Sequence, residues 1–238
     1  MQQVKYKRTL LKLSGEALMG DSQHIFDKPT IDGILTQIKQ LNLLGIKIGI
    51  VIGGGNIFRG INGTQFGLKP ANADYMGILA TVMNGIALKD FLNHIGVKTY
   101  LYSAVPIGDI VKGYNRDNML DKLDVNSVVI FAGGVGHPFF TTDSGAALRA
   151  IEMNADLLIK ATKVDGVYNV DPKTHTNAQK YTKLSFDEAM HKNLKIMDMA
   201  AFDLCRTHKV NIGVCNIFQA NALYDMVIGN SQGTLIHV

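Results

Sequence analysis

Four stretches far apart in the chain carry glycines or side chains suited to phosphate: Lys12-Leu13-Ser14-Gly15, Gly53-Gly54-Gly55-Asn56, Gly133 to Asp143, and the glycine-free Lys160-Ala161-Thr162. Consecutive glycines bare backbone N–H groups and let another molecule approach the main chain, which grips phosphate oxygens without side-chain clashes. Arg59, a few residues beyond the glycine triplet, can add a forked charge-assisted contact. Alone, Gly53 to Gly55 reads equally well as a tight strand-to-helix turn. Lys12 closes an apolar strand, where an ammonium can neutralise phosphate, although solvation is the commoner reason for a strand-end lysine. Asp143 suits the N-cap of a following helix as well as a catalytic role, and the two are compatible. His137, in GGVGHPFFTTD, reads as a pocket-lining residue rather than a base, since an acceptor phosphate is already anionic at neutral pH. Neither GxxxxGK(S/T) nor a GxGxxG opening the first crossover helix occurs, so phosphate chemistry here needs a different cradle.

The elements that must position these residues follow from apolar spacing. Strands are predicted over Thr9–Leu13, Ile46–Ile52, Val97–Tyr102, Ser127–Ala132 and Asp156–Lys160, and helices over Thr30–Leu44, Asn72–His94 and Ser144–Met153. Beyond Thr162 the pattern changes to a hairpin-like piece at Val164–Tyr168, helices at Ser185–Lys192 and Asp198–His208, and strands at Asn211–Val214 and Gly233–His237. Alternating strands and helices predict an α/β fold, a three-layer αβα sandwich around a largely parallel sheet. All four stretches then fall at carboxyl ends of strands, where ligands of such sheets bind. Gly60–Ala73 and Gly108–Asp124, rich in Gly, Asn and Asp, read as the mobile loops.

Composition bounds the rest. With 238 residues, 47% hydrophobic and 18% charged, the chain has the makeup of a globular protein whose sheet is covered on both faces, in one domain or two closely merged lobes. The net charge of +4 is spread over scattered lysines with no basic run, which suits a small phosphorylated ligand and makes a nucleic-acid partner unexpected. Cys205 and Cys215 show no disulfide or zinc spacing. No secretory signal pattern and no apolar run of membrane-spanning length appear, so a cytoplasmic location is expected.

Six segments, in order, carry a resemblance over nearly the whole chain: LLKLSGEAL (Leu10 to Leu18), IGIVIGGGNIFRG (Ile48 to Gly60), YMGILATVMNG (Tyr75 to Gly85), HPFFTTDS (His137 to Ser144), KATKVDGVYNVDP (Lys160 to Pro172) and KIMDMAAF (Lys195 to Phe202). On these the chain resembles the bacterial UMP kinases of the amino acid kinase family. The resemblance implies transfer of the ATP γ-phosphoryl group to UMP, in pyrimidine nucleotide biosynthesis, with Mg²⁺ bound through ATP. It implies that Lys12, Arg59 and Asp143 are catalytic, with Lys160 and Lys163 as candidates for a second cation. ATP would be bound by Lys12, Leu13, Ser14, Gly15, Gly55, Arg59, Thr162, Tyr168 and Asp171. UMP would be bound by Gly54, by Asp74 through its ribose hydroxyls, and by the segment Val135, Gly136, His137, Pro138, Phe139, Phe140, Thr141 and Thr142. Residues 1–155 would form the acceptor lobe and 156–238 the ATP lobe of a single domain. A homohexamer and feedback inhibition by UTP are also implied. The family usually has asparagine where His137 stands and often threonine at Val135. Lys89, Asn93, Tyr100 and Ser127 stand where GTP-activated relatives carry more positive charge, which implies weak or absent GTP activation. Two rivals remain, a kinase of the same family acting on a carboxylate or carbamate, and a nucleotide-binding regulator without catalysis.

Overall fold

The computed structural model describes residues 3–60, 63, 66–124, 126–172, 174–230 and 232–238. In chain order its elements are β1 (Arg8–Leu13), α1 (Glu16–Met19), α2 (Lys28–Leu43), β2 (Lys47–Ile52), α3 (Pro70–His94), β3 (Thr99–Ser103), α4 (Arg116–Asp124) and β4 (Val128–Ala132). There follow α5 (Thr142–Glu152), β5 (Leu157–Thr162), β6 (Val167–Tyr168), β7 (Lys180–Tyr181), β8 (Lys183–Ser185), α6 (Phe186–His191), α7 (Met199–Thr207), β9 (Asn211–Asn216), α8 (Ala222–Ile228) and β10 (Thr234–His237). Eight strands form one sheet in the order β3-β4-β2-β1-β5-β9-β10-β8, while β6 and β7 pair antiparallel beside it. Every neighbouring pair in the large sheet is parallel except β9 with β10.

Strand VVIFA is apolar throughout, and KIGIVI is so after its leading lysine, because helices cover both faces, and the resulting layers are the expected αβα sandwich. On one face Leu11, Leu13, Ile50 and Ile159 pack with α2, α3 and α8. On the other, Leu10, Val51, Val129 and Leu158 pack with α4 through α7. Helix α2 shows the local logic: Ile31, Ile34, Leu35, Ile38 and Leu41 are buried at helical spacing, and the Asp27 carboxylate caps its start by accepting from the Thr30 amide at 3.1 Å.

Three expectations change. Arg116–Asp124, read as part of a mobile loop, is helix α4, held by fully buried Met119 and Leu123 one turn apart. Helix α3 starts at Pro70, inside the other stretch read as a loop, and residues 61, 62, 64 and 65 of that stretch lie outside the described residues. Helix α5 starts at Thr142 with Thr141 as its N-cap, so Asp143 is not the cap.

Candidate active site

Side chains alternate along a strand, so with Leu11 and Leu13 on the α2 side, Lys12 must project over α5. Lys160 repeats this on β5, and the two lysines are direct register partners across the parallel β1–β5 pair. Neighbouring strands lie roughly 4.8 Å apart, so two ammonium groups share one face at the carboxyl end of the sheet. Asp143, in the first turn of α5, receives both: Lys12 Nζ lies 2.9 Å from Oδ1 and Lys160 Nζ lies 2.9 Å from Oδ2. Lys160 also donates to the Ile196 carbonyl at 2.6 Å. Burial pushes the Asp143 carboxyl up, but the ammonium groups of Lys12 and Lys160 more than offset this and hold it below the ordinary carboxylate value.

Thr141 explains why Asp143 is free to do this. Its Oγ1 accepts the amides of Asp143 and Ser144, at 3.0 and 3.3 Å, and donates its proton to Asp198 Oδ2. One hydroxyl proton and two lone pairs are thereby used. The Thr141 hydroxyl therefore caps α5 and ties it to the start of α7, where Asp198 also accepts from Ser144 and the Ala201 amide. Of the two threonines expected to bind UMP, Thr142, which lines the first cavity, is the one whose hydroxyl is not used by the cap.

Two cavities flank this cluster. The first, about 330 Å³, is lined by the glycine turn after β2 (Gly54, Gly55), Arg59, Asp74, and the segment after β4, including Val135, His137, Phe140, Thr141 and Thr142. Gly136, Pro138 and Phe139 do not line it; Gly136 turns the chain at φ 88°, and the Phe139 amide donates to Asp74 Oδ2 at 2.9 Å. The second, about 590 Å³, is lined by Lys160, Thr162, Tyr168, Asp171 and the stretch from Lys192 to Ile196. The Tyr168 hydroxyl donates to Asp165 Oδ1 at 2.7 Å, so its ring rather than its hydroxyl is available to a ligand. Thr142 of the first cavity adjoins Asp143, which bonds Lys160 of the second; the lysine–aspartate–lysine bridge is the junction between them.

Leu13, Ser14 and Gly15 line neither cavity. The Leu13 side chain is fully buried and its carbonyl accepts the Gly53 amide at 2.8 Å, while Gly15 packs on the glycine turn so closely that a Cβ there would lie 2.9 Å from both Gly53 O and Gly55 N. The turns after β1 and β2 are thus one packed unit, further braced by buried Asn84, which bonds Gly53 O and Asn56. Lys163 is not brought to the junction; its Nζ donates to Gly20 O and Asp21 Oδ1, both at 3.0 Å. Residue types gave no signal for Ile196, which acts through its carbonyl, or for Glu16, whose Oε1 accepts from Arg59 Nη2.

Gly54 is required by packing: a Cβ would lie 2.8 Å from both Ala80 Cβ and Gly77 O of α3. Gly54→Ala should therefore push α3 from the turn, destabilise the protein by about 1–3 kcal/mol and weaken ligand binding in the first cavity. Chemical denaturation with ligand titration checks this, and wild-type values for both would remove the close approach as an explanation for the glycine.

The amino acid kinase family model matches residues 7–216. The chain belongs to the amino acid kinase family. Among solved structures, a UMP kinase from Bacillus anthracis is 36% identical over 98% of this chain and 96% of that one, with a TM-score of 0.94. A UMP kinase from Ureaplasma parvum is 36% identical over 98% of this chain and 100% of that one, with a TM-score of 0.93. Of the six segments that carried the sequence resemblance to this family, five line one of the cavities, and LLKLSGEAL supplies Lys12 at their junction. Among the described residues of this amino acid kinase, no helix is long and apolar enough to cross a membrane.

Proposed function

We propose that the chain is a UMP kinase, transferring the γ-phosphoryl group of ATP to UMP to give UDP and ADP in pyrimidine nucleotide biosynthesis. One observation carries this: Lys12 and Lys160 meet on Asp143 at the point where two cavities built from different parts of the chain adjoin. Among the described residues, the first cavity is lined only by residues between 54 and 142 and takes UMP, and the second only by residues between 160 and 214 and takes ATP, in keeping with an acceptor lobe over 1–155 and a donor lobe over 156–238.

Asp74 spends one oxygen on the Phe139 amide and keeps Oδ1 for a ribose hydroxyl. Arg59 and the Gly54–Gly55 turn receive phosphate, and Thr162, Tyr168 and Asp171 hold the ATP nucleoside. An oxygen of the UMP phosphate attacks Pγ in line while the bond from Pγ to the ADP bridging oxygen breaks; no side chain need remove a proton. The ammonium groups offset the negative charge gathered on the two phosphate chains as they approach, and Asp143 sets where those groups stand. Both Asp143 oxygens already face lysines, so the Mg²⁺ that accompanies ATP fits as an ion carried by phosphate oxygens and water, supplying further charge neutralisation. A cytoplasmic location, a homohexamer and feedback inhibition by UTP complete the proposal.

Incubation with Mg-ATP and a panel of UMP, CMP, dUMP, AMP, acetylglutamate and carbamate tests it. UDP from UMP should be the one product formed at appreciable rate. Phosphorylated acetylglutamate or carbamate would point to the carboxylate-directed branch of the family, and binding without turnover to a regulator. Adding GTP at sub-saturating ATP should change the rate little. At the positions concerned, Ser127 is buried with its hydroxyl on the Lys122 carbonyl, and the Asn93 side chain is taken by the Thr99 amide at 3.0 Å. Several-fold stimulation would overturn that part.

A further inference from the structure

Arg59 is assigned to phosphate, yet its guanidinium is already engaged. Nη2 donates to Glu16 Oε1, with the two side chains 52% and 38% exposed. Glu16 opens α1 directly after Ser14-Gly15, and the close packing of Gly15 on Gly53 and Gly55 holds this carboxylate over the glycine turn. A Cβ on Gly55 would meet Glu16 Oε1 at 3.5 Å and Arg59 Nε at 3.8 Å, so carboxylate and guanidinium both stand above the backbone that is to receive phosphate. Carboxylate and phosphate compete for the same planar fork of N–H donors, and, being both anionic, they repel each other when close. An ion pair this exposed is weak, so exchanging one anion for the other costs little.

We propose that Glu16 is an internal competitor for Arg59: a positioning residue that holds the guanidinium when no phosphate is present and so limits the grip on nucleotide phosphate. This rests on the assignment of Arg59 to phosphate. Its consequence is reversible binding: an arriving phosphate must displace Glu16, and a departing diphosphate leaves as Glu16 takes the guanidinium back.

The test is equilibrium titration of the full chain and its Glu16→Gln, Glu16→Ala, Arg59→Ala and Glu16→Gln/Arg59→Ala variants with UMP, ADP and uridine, alongside initial rates. Both Glu16 variants should bind UMP or ADP roughly two- to fivefold more tightly, the range an exposed ion pair provides, and lower KM more than they change kcat. Uridine, which has no phosphate, should bind them as it binds the parent. Arg59→Ala should weaken phosphate-bearing ligands, and adding Glu16→Gln to it should then do nothing. A gain in affinity cannot come from a damaged fold. Weaker binding or lower kcat in both Glu16 variants would overturn the competitor and make Glu16 a support for a productive Arg59. If Arg59→Ala leaves UMP and ADP binding unchanged, the phosphate assignment of Arg59 falls and the competitor with it. If Arg59→Ala weakens binding but Glu16→Gln does not tighten it, only the competitor falls.

Discussion

Lys12→Ala should lower kcat by about 10²- to 10³-fold while UMP binding stays within a few fold, the pattern of a preorganised charge wanted mainly in the transition state. The expectation follows from place. Lys12 lines neither cavity, so on the proposed reading ground-state binding of either ligand depends on it little, but it stands at their junction, where the proposed transfer takes place. Asp143 would still be held by Lys160 at 2.9 Å, so the variant should fold. Calorimetric titration of UMP and a coupled ADP-release assay separate the two effects. Unchanged turnover would remove the main catalytic assignment; a loss confined to KM would make Lys12 a binding residue.

Asp143→Asn should cost both activity and stability. The substitution keeps the shape but removes the carboxylate charge that both ammonium groups, 13% and 22% exposed, contact from register-paired positions. Removing one partner of a largely buried ionic cluster costs about 3–5 kcal/mol, and some solvent access places this case near or below the lower bound. Turnover should fall by at least about tenfold because both lysines lose their common anchor. The acid dependence has a definite sign. Asp143 has a folded-state pKa below its ordinary value, so its contribution is complete above the unfolded carboxylate pKa of about 3.9 and is lost as pH falls through the lower folded value. The stability gap between parent and variant, read from denaturant midpoints, should be flat near neutrality and close below about pH 4. Equal stability at neutral pH, or a gap that widens in acid, would refute the bridge.

Much of the frame was legible because its signals are local. Five buried strands and the helices between them announce themselves by apolar runs and 3.6-residue spacing, and the ends of β1, β2, β4 and β5 carry the expected site segments. Helix α4 was not legible: RDNMLDKLD has a single fully buried pair, Met119 and Leu123, with half-buried Leu120 beside them in a stretch whose other residues are all polar, and tertiary burial outweighs composition there. Asp143 suited a cap as well as a catalytic role, because aspartate before an apolar helix usually caps it. Thr141, two residues earlier, takes that role, and no rule of spacing says which of two nearby capping types will do so.

The sequence by itself determined the αβα class, the placing of glycine-rich turns at strand ends and the membership signals of the family, since these depend on residue type, periodicity and order along the chain. Only the tertiary structure decided that Lys160, not Lys163, joins Lys12, because that depends on the register of β5 against β1 and on the face each side chain takes. It also decided that Asp143 bridges the two lysines, that Ile196 helps through a carbonyl, and that Glu16 holds Arg59. Contacts between segments this distant in the chain arise from strand pairing and packing, which leave no trace in local composition.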